Sequence, residues 1–327
     1  MGAAEERRTG VAFDTFTVPR EDLERALSAA LAGPVRLTGL RRLAGGMIGS
    51  VLLADLDRDP GEVVVKLSER ADAFRGEAET LDWLARHTGL PVPKVLGSLS
   101  DGKIAPFGLL ALARLPGVNL GEARALGGSF ETLERDMAEA VASLHAHARE
   151  EFGAVLGGRR HATWVEAFRE RLGNVARNET CRTRLDADTI RRVEQIADHL
   201  DDILARLPDG RTGEAPARLV HGDIWATNVI VRPDPAGGWR LSGFVDPAAE
   251  FADVEYELAY LLVFDTVGRA FFERYRDFFA IDEGFETRRH VYHLHTMLVH
   301  VRCFGDERYR AAAHSLARRV AAEAGLE

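Results

Sequence analysis

The chain has 327 residues, 46% of them hydrophobic and 28% charged, and 42 basic against 51 acidic residues give a formal net charge of -9. That is enough apolar material for a sizeable core in one large domain or two lobes, and the acidic balance argues against a broad positive surface for nucleic acid while leaving room for local phosphate sites. Two cysteines, Cys181 and Cys303, lack metal-ligand spacing and are not a disulfide framework; with no apolar signal core and no long uncharged apolar run, the expectation is a cytoplasmic protein with no membrane partner.

Residues 1–17 read as an N-terminal extension. Pro19 to Leu31 has the spacing of a helix, through Leu23, Ala26, Leu27 and Ala30. Strand patterns follow at Val35 to Leu43, Ser50 to Leu56 and Glu62 to Leu67, the last rich in valine. Ala71 to Arg86 returns to helical periodicity, and Val92 to Leu96 and Phe107 to Arg114 read as two more strands. From Phe130 the pattern becomes mostly helical, with helices at Phe130 to His147, Trp164 to Val175 and Thr189 to Leu207. A hairpin interrupts them: Val229 to Arg232 and Trp239 to Val245 flank the turn-forming run Pro233 to Gly238. The remainder, from Tyr256, reads as helix. The expected boundary between a small strand-rich lobe (18–115) and a large helical lobe (116–327) falls at Leu115-Pro116-Gly117, a hinge-like sequence.

The chemistry begins at His221-Gly222-Asp223, followed after four residues by Asn228. This is the order of a kinase catalytic loop. Asp223 can accept the proton of an attacking hydroxyl, and Asn228 can offer an amide oxygen to magnesium. The bland alternative is a polar turn before a strand. Asp246 follows the second hairpin strand, whose end returns beside Asn228, so both can face one metal. Alone, it would read as an Asp-Pro turn. Lys66 ends a run of three valines, where an unpaired ammonium would be costly. Glu77, with Glu79 as the alternative, is the helix carboxylate expected to pair with it, and the lysine is expected to hold nucleotide phosphates. Gly45-Gly46-Met47-Ile48-Gly49-Ser50 lies between two strands, as a phosphate-covering loop does; Gly45, Gly46 and Ser50 are its candidates. Four signals in this order on one chain point to ATP- and Mg²⁺-dependent phosphoryl transfer to a small-molecule acceptor.

With these residues in view, the chain resembles the aminoglycoside phosphotransferase, choline kinase and fructosamine kinase superfamily from about Leu43 to about Tyr309. That superfamily reads His-Gly-Asp in its catalytic loop, as here. The stretch Phe74 to Leu84, followed by Leu90-Pro91-Val92-Pro93, is similar to its helix and following strand. Fructosamine kinases are the nearest, on His221 to Trp225, Val245-Asp246-Pro247-Ala248, and the run from Tyr292 to Gly305. The chain departs from them at Met47, where cysteine is frequent, and at Glu257-Leu258-Ala259, where the family pattern is Asp-Leu-Ala. The resemblance implies an α+β, bilobal protein-kinase-like fold, with a small N-terminal antiparallel sheet lobe carrying a helix and a larger, mostly helical C-terminal lobe. It implies transfer of the ATP γ-phosphate to a sugar hydroxyl of a ketoamine formed by glycation. An aminoglycoside or another small hydroxylated amine is the alternative acceptor, and a non-catalytic kinase-fold binding protein the alternative of another class.

Other polar residues are assigned bland roles. His145 and His147 end a helix, where dipole contacts or packing outrank metal binding. His293, His295 and His300 do not share one helix face, so packing or a substrate pocket is expected of them. Trp225 fits an acceptor wall or a packing role equally, and Arg114 is expected to extend to solvent, with a place near the nucleotide base as the alternative.

Overall fold

Strand alternation in the N-terminal part decides what covers the sheet. The computed structural model describes residues 11–12, 17–43, 50–205 and 216–326. Five strands form an antiparallel sheet in the spatial order Leu37–Arg42, Ser50–Leu56, Glu62–Ser68, Gly108–Leu112, Val95–Leu99. Val63, Val65, Leu67, Leu109 and Ala111 point to one face, where the helix Arg20–Ala30 buries Leu23, Ala26 and Leu27 against them. Leu110 and Leu112 point to the other face, where the helix Arg75–His87 adds Ala78 and Leu81 and Phe74 precedes it. Both faces are thus covered, which is why Gly108–Leu112 is a continuous buried run.

Two boundaries differ from the expected ones for local reasons. The helix expected from Ala71 begins at Arg75, because residues 71–74 turn on hydrogen bonds such as Ala73 N–H to Arg70 O. The strand expected at Val92 to Leu96 is Val95–Leu99, since Pro91 and Pro93 have no N–H for a ladder. A separate three-stranded sheet has the order Trp239–Phe244, Val229–Pro233, Val118–Asn119. Gly117, at φ 115°, passes so close that a Cβ would stand 1.9 Å from Val231 O, so only glycine fits there. The chain divides into two compact units: Met1–Gly128 with Thr227–Pro247, and Ser129–Ala226 with Ala248–Glu327.

The second unit is mostly helical. Its main helices are Glu131–His145, Trp164–Ala176, Ala187–Asp198, Val254–Val263, Phe285–Phe304 and Glu307–Glu323. Thr163, Asp186, Asp253 and Asp306 cap four of them by accepting a backbone N–H. Gly305 ends the long Phe285–Phe304 helix in the left-handed conformation. Trp164, Phe168, Tyr256 and Tyr292 pack in its core, and Trp164 Nε1 donates to the Tyr292 hydroxyl at 3.0 Å. The structure adds a five-stranded sheet that the helical reading of this region omits, in the order Arg160–His161, Phe152–Ala154, Glu250–Ala252, Ala217–Val220, Ala148–Arg149. Its strands have two to four residues, too short for period-two alternation to stand out. Among the described residues no helix is long and apolar enough to cross a membrane.

Candidate active site

Lys66 is the fifth residue of the strand Glu62–Ser68 and is nearly buried. Its ammonium donates to Glu77 Oε1 at 2.7 Å and also to Asp246 Oδ1. Burial works against its charge, but the two carboxylates outweigh it and hold Lys66 above the ordinary lysine value. Burial likewise pushes the Glu77 carboxyl up, against the pull of Lys66. Glu77 comes from the first turn of its helix; Glu79 is exposed, and the ion pair of Lys66 with this helix is made to Glu77.

The hairpin delivers Asp246. Val245 N–H donates to Asn228 O at 2.9 Å, so the end of one strand returns beside the start of the other. Asp246 has φ 56°, a left-handed conformation uncommon for a residue other than glycine. Asn228 is buried. Lys66, Asn228 and Asp246 line one cavity of about 300 Å³. Its remaining walls are largely apolar, from Val51, Val64, Leu112, Leu115 and Ile230. A cavity with apolar walls and a polar, charged end suits a flat heterocycle joined to phosphates. Asp246 carboxylate and Asn228 amide oxygens are hard donors of the kind magnesium accepts. Among the described residues no cluster of three or more His, Cys, Asp or Glu would hold a metal alone.

Arg114 also lines this cavity and donates to Glu62 Oε2 at 2.8 Å, rather than simply extending to solvent. Ser50 is buried, and strand alternation turns it away from the face of Val51, which lines the cavity. Gly45 and Gly46 lie outside the described residues.

In the second unit, Asp223 follows His221 and Gly222 after the strand Ala217–Val220. Gly222 has φ 82°, and a Cβ there would stand 2.5 Å from Ala248 O. His221 is buried, and its carbonyl accepts Ala248 N–H at 2.9 Å. Two further side chains reach this loop from the helix Val254–Val263. Glu257 Oε1 accepts Gly222 N–H at 2.7 Å, and the Tyr260 hydroxyl donates to Asp223 Oδ1. Glu257 Oε2 meets His145 Nε2 at 2.9 Å, and His145 Nδ1 meets the Tyr275 hydroxyl at 2.7 Å. A carboxylate can only accept, so His145 carries a proton on Nε2. The His145 and Glu257 side chains are fully buried. His145 is therefore a member of a buried polar chain, beyond simple packing.

Neither Glu257 nor Tyr260 stood out as a site residue in the sequence. A signal for Glu257 exists: it is a charge directly before the apolar run Leu258 to Val263, on the same helix. Tyr260 carries none, since a tyrosine in an apolar helix reads as packing. Trp225 packs against Phe264, with ring centroids 6.3 Å apart. His295 is buried among Phe168 and Tyr256, a packing role, while His293 Nε2 meets Ala259 O at 2.9 Å.

The family model described as fructosamine kinase matches residues 20–322. A probable ketoamine kinase of Staphylococcus aureus is 24% identical over 286 residues, 84% of this chain and 90% of the relative. Among solved structures, a Haemophilus somnus protein assigned as a fructosamine-3-kinase superposes with a TM-score of 0.70 at 20% identity, covering 92% of this chain and 97% of that one. APH(2″)-IIIa, in complex with GDP and kanamycin, gives 0.60 at 14% identity, covering 91% and 97%. At these identities the two structural likenesses are of fold, the bilobal kinase-like one.

Proposed function

The chain belongs to the fructosamine kinase family, and on that premise we propose that this kinase transfers the γ-phosphate of ATP, with Mg²⁺, to a hydroxyl of a glycation-derived ketoamine in the cytoplasm. The observation that carries the reading is Lys66 held between Glu77 and Asp246 at the polar end of a cavity that Asn228 also lines. In this reading the unit containing Lys66 holds the nucleotide. Lys66 binds its phosphates, and Glu77 keeps the ammonium charged and aimed. Asp246 and Asn228 hold magnesium, which, when bound, neutralises phosphate charge.

Asp223 orients the acceptor hydroxyl and takes its proton as the oxygen bonds to phosphorus and ADP leaves. Phosphoryl transfer through a loose transition state needs little activation of the nucleophile, so the carboxylate acts by position more than by basicity. Asp223→Asn should leave Mg-ATP binding nearly intact and slow transfer by roughly 10²–10⁴.

The acceptor class is tested by offering glycated lysine analogues and aminoglycosides at equal concentration and measuring Mg²⁺-dependent phosphorylation. Ketoamine phosphorylation is expected. Turnover of aminoglycosides alone would move the acceptor to the other class. No turnover with any acceptor, together with no Mg-ATP binding, would leave a binding protein on a kinase fold.

A further inference from the structure

The helix Val254–Val263 grips the His221-Gly222-Asp223 loop at two adjacent points. Glu257 and Tyr260, three residues apart, share one helix face. The first accepts Gly222 N–H and the second donates to Asp223 Oδ1. The Tyr260 ring is itself held. It meets Phe264 edge-on, with centroids 5.1 Å apart and planes at 70°, and Phe264 in turn packs on His300 at 5.1 Å. Burial, reinforced by the Asp223 charge, pushes the phenol far above its ordinary value, so it stays a donor across the working pH range.

The terminal torsion of an aspartate carboxylate has a broad, two-fold profile. A fixed donor on one oxygen narrows that range. We propose that Tyr260 is a positioning residue for phosphoryl transfer: by holding Oδ1 of Asp223 it sets the direction from which the carboxylate meets the acceptor hydroxyl. The inference rests on the role given to Asp223 above. It follows that Tyr260 contributes to the chemical step and not to nucleotide binding, and that its whole contribution passes through Asp223.

The test is a double-mutant cycle of Tyr260→Phe and Asp223→Ala, with Mg-ATP and a glycated lysine analogue. kcat, both KM values, Mg-ATP affinity and melting temperature are measured for all four proteins. Tyr260→Phe keeps the ring and its packing. It should lower kcat by about 10- to 100-fold, the scale of one hydrogen bond to a charged group, with Mg-ATP affinity and melting temperature unchanged. In the Asp223→Ala background the same change should alter kcat by less than about twofold, the signature of action through a shared partner. A Tyr260→Phe enzyme with normal kcat would overturn the proposal. So would additive losses in the double variant, or a Tyr260→Phe protein that no longer melts cooperatively, since these place the hydroxyl in another role. If Asp223→Ala itself keeps full kcat, the reading of Asp223 falls and takes this proposal with it. If Asp223→Ala is impaired and Tyr260→Phe is normal, only the role of Tyr260 is lost.

Discussion

Replacing Glu257 by alanine should be among the most damaging single changes outside the cavity that Lys66 lines. Its side chain is fully buried, and its two oxygens serve two different donors, Gly222 N–H at 2.7 Å and His145 Nε2 at 2.9 Å. Alanine strips both donors of their acceptor. Each buried orphan costs about 1–3 kcal/mol, and more when the lost partner was charged, so the sum is about 3–5 kcal/mol. That is a large part of the roughly 5–15 kcal/mol that separates a typical folded domain from its unfolded chain. Glu257→Gln keeps the shape and one acceptor oxygen but turns an N–H toward the other donor, so it should cost less, about 1–3 kcal/mol. The assay is urea unfolding followed by a helix signal, with free energies extrapolated to water. Activity should fall alongside, because Gly222 immediately precedes Asp223. A Glu257→Ala protein within about 1 kcal/mol of wild type would refute the reasoning, since it would mean that neither donor needs this carboxylate.

Lys66→Met removes the cation between Glu77 and Asp246 and should weaken nucleotide binding while lowering kcat/KM for ATP by about 10² or more; calorimetric titration with Mg-ATP separates the two effects, and unchanged affinity and turnover would remove Lys66 from the site. Asp246→Ala should abolish Mg²⁺-dependent turnover, a loss of at least about 10², and near-normal kcat with Mg-ATP would dismiss it as a metal ligand. His295 is held at about 3 by burial, so the unfolded chain takes up a proton near the ordinary value of 6.5 that the folded chain refuses. Its contribution to stability is complete above that value and is lost as pH falls toward 3, at about 1.4 kcal/mol per pH unit for one proton. Unfolding at pH 7, 6 and 5 should show this decline, flattened in His295→Gln; an unchanged slope in the variant would exclude His295 as a source.

The residues gathered around Lys66 were legible because each violates its surroundings. An ammonium after three valines demands a carboxylate, and Glu77 precedes the apolar register of the next helix. Asn228 and Asp246 were brought together by a hairpin whose turn residues are plain. The contacts to the Asp223 loop were not legible. Tyr260 and Glu257 lie 37 and 35 positions beyond their partners, and nothing local in an apolar helix says which loop it will face. The short strands of the second unit escaped for a related reason. Ala217–Val220 and Glu250–Ala252 pair with each other across a long separation, and their stability comes from that pairing, not from a pattern within either segment.

The hairpin has a consequence for the order in which the protein can be made. Residues 227–247 complete the first compact unit, yet residues 129–226 come between. Val118 waits for Val231, and the Pro91 carbonyl waits for Phe244 N–H. During synthesis the ribosome releases residues 1–128 first and residues 227–247 only after the intervening stretch, a delay of roughly 5–20 s at ordinary translation rates. A chain cut anywhere before Asn228 lacks both Asn228 and Asp246, however well its five-stranded sheet forms. A fragment that carries the whole cavity lining without the second unit is therefore a spliced one, joining Gly128 directly to Thr227.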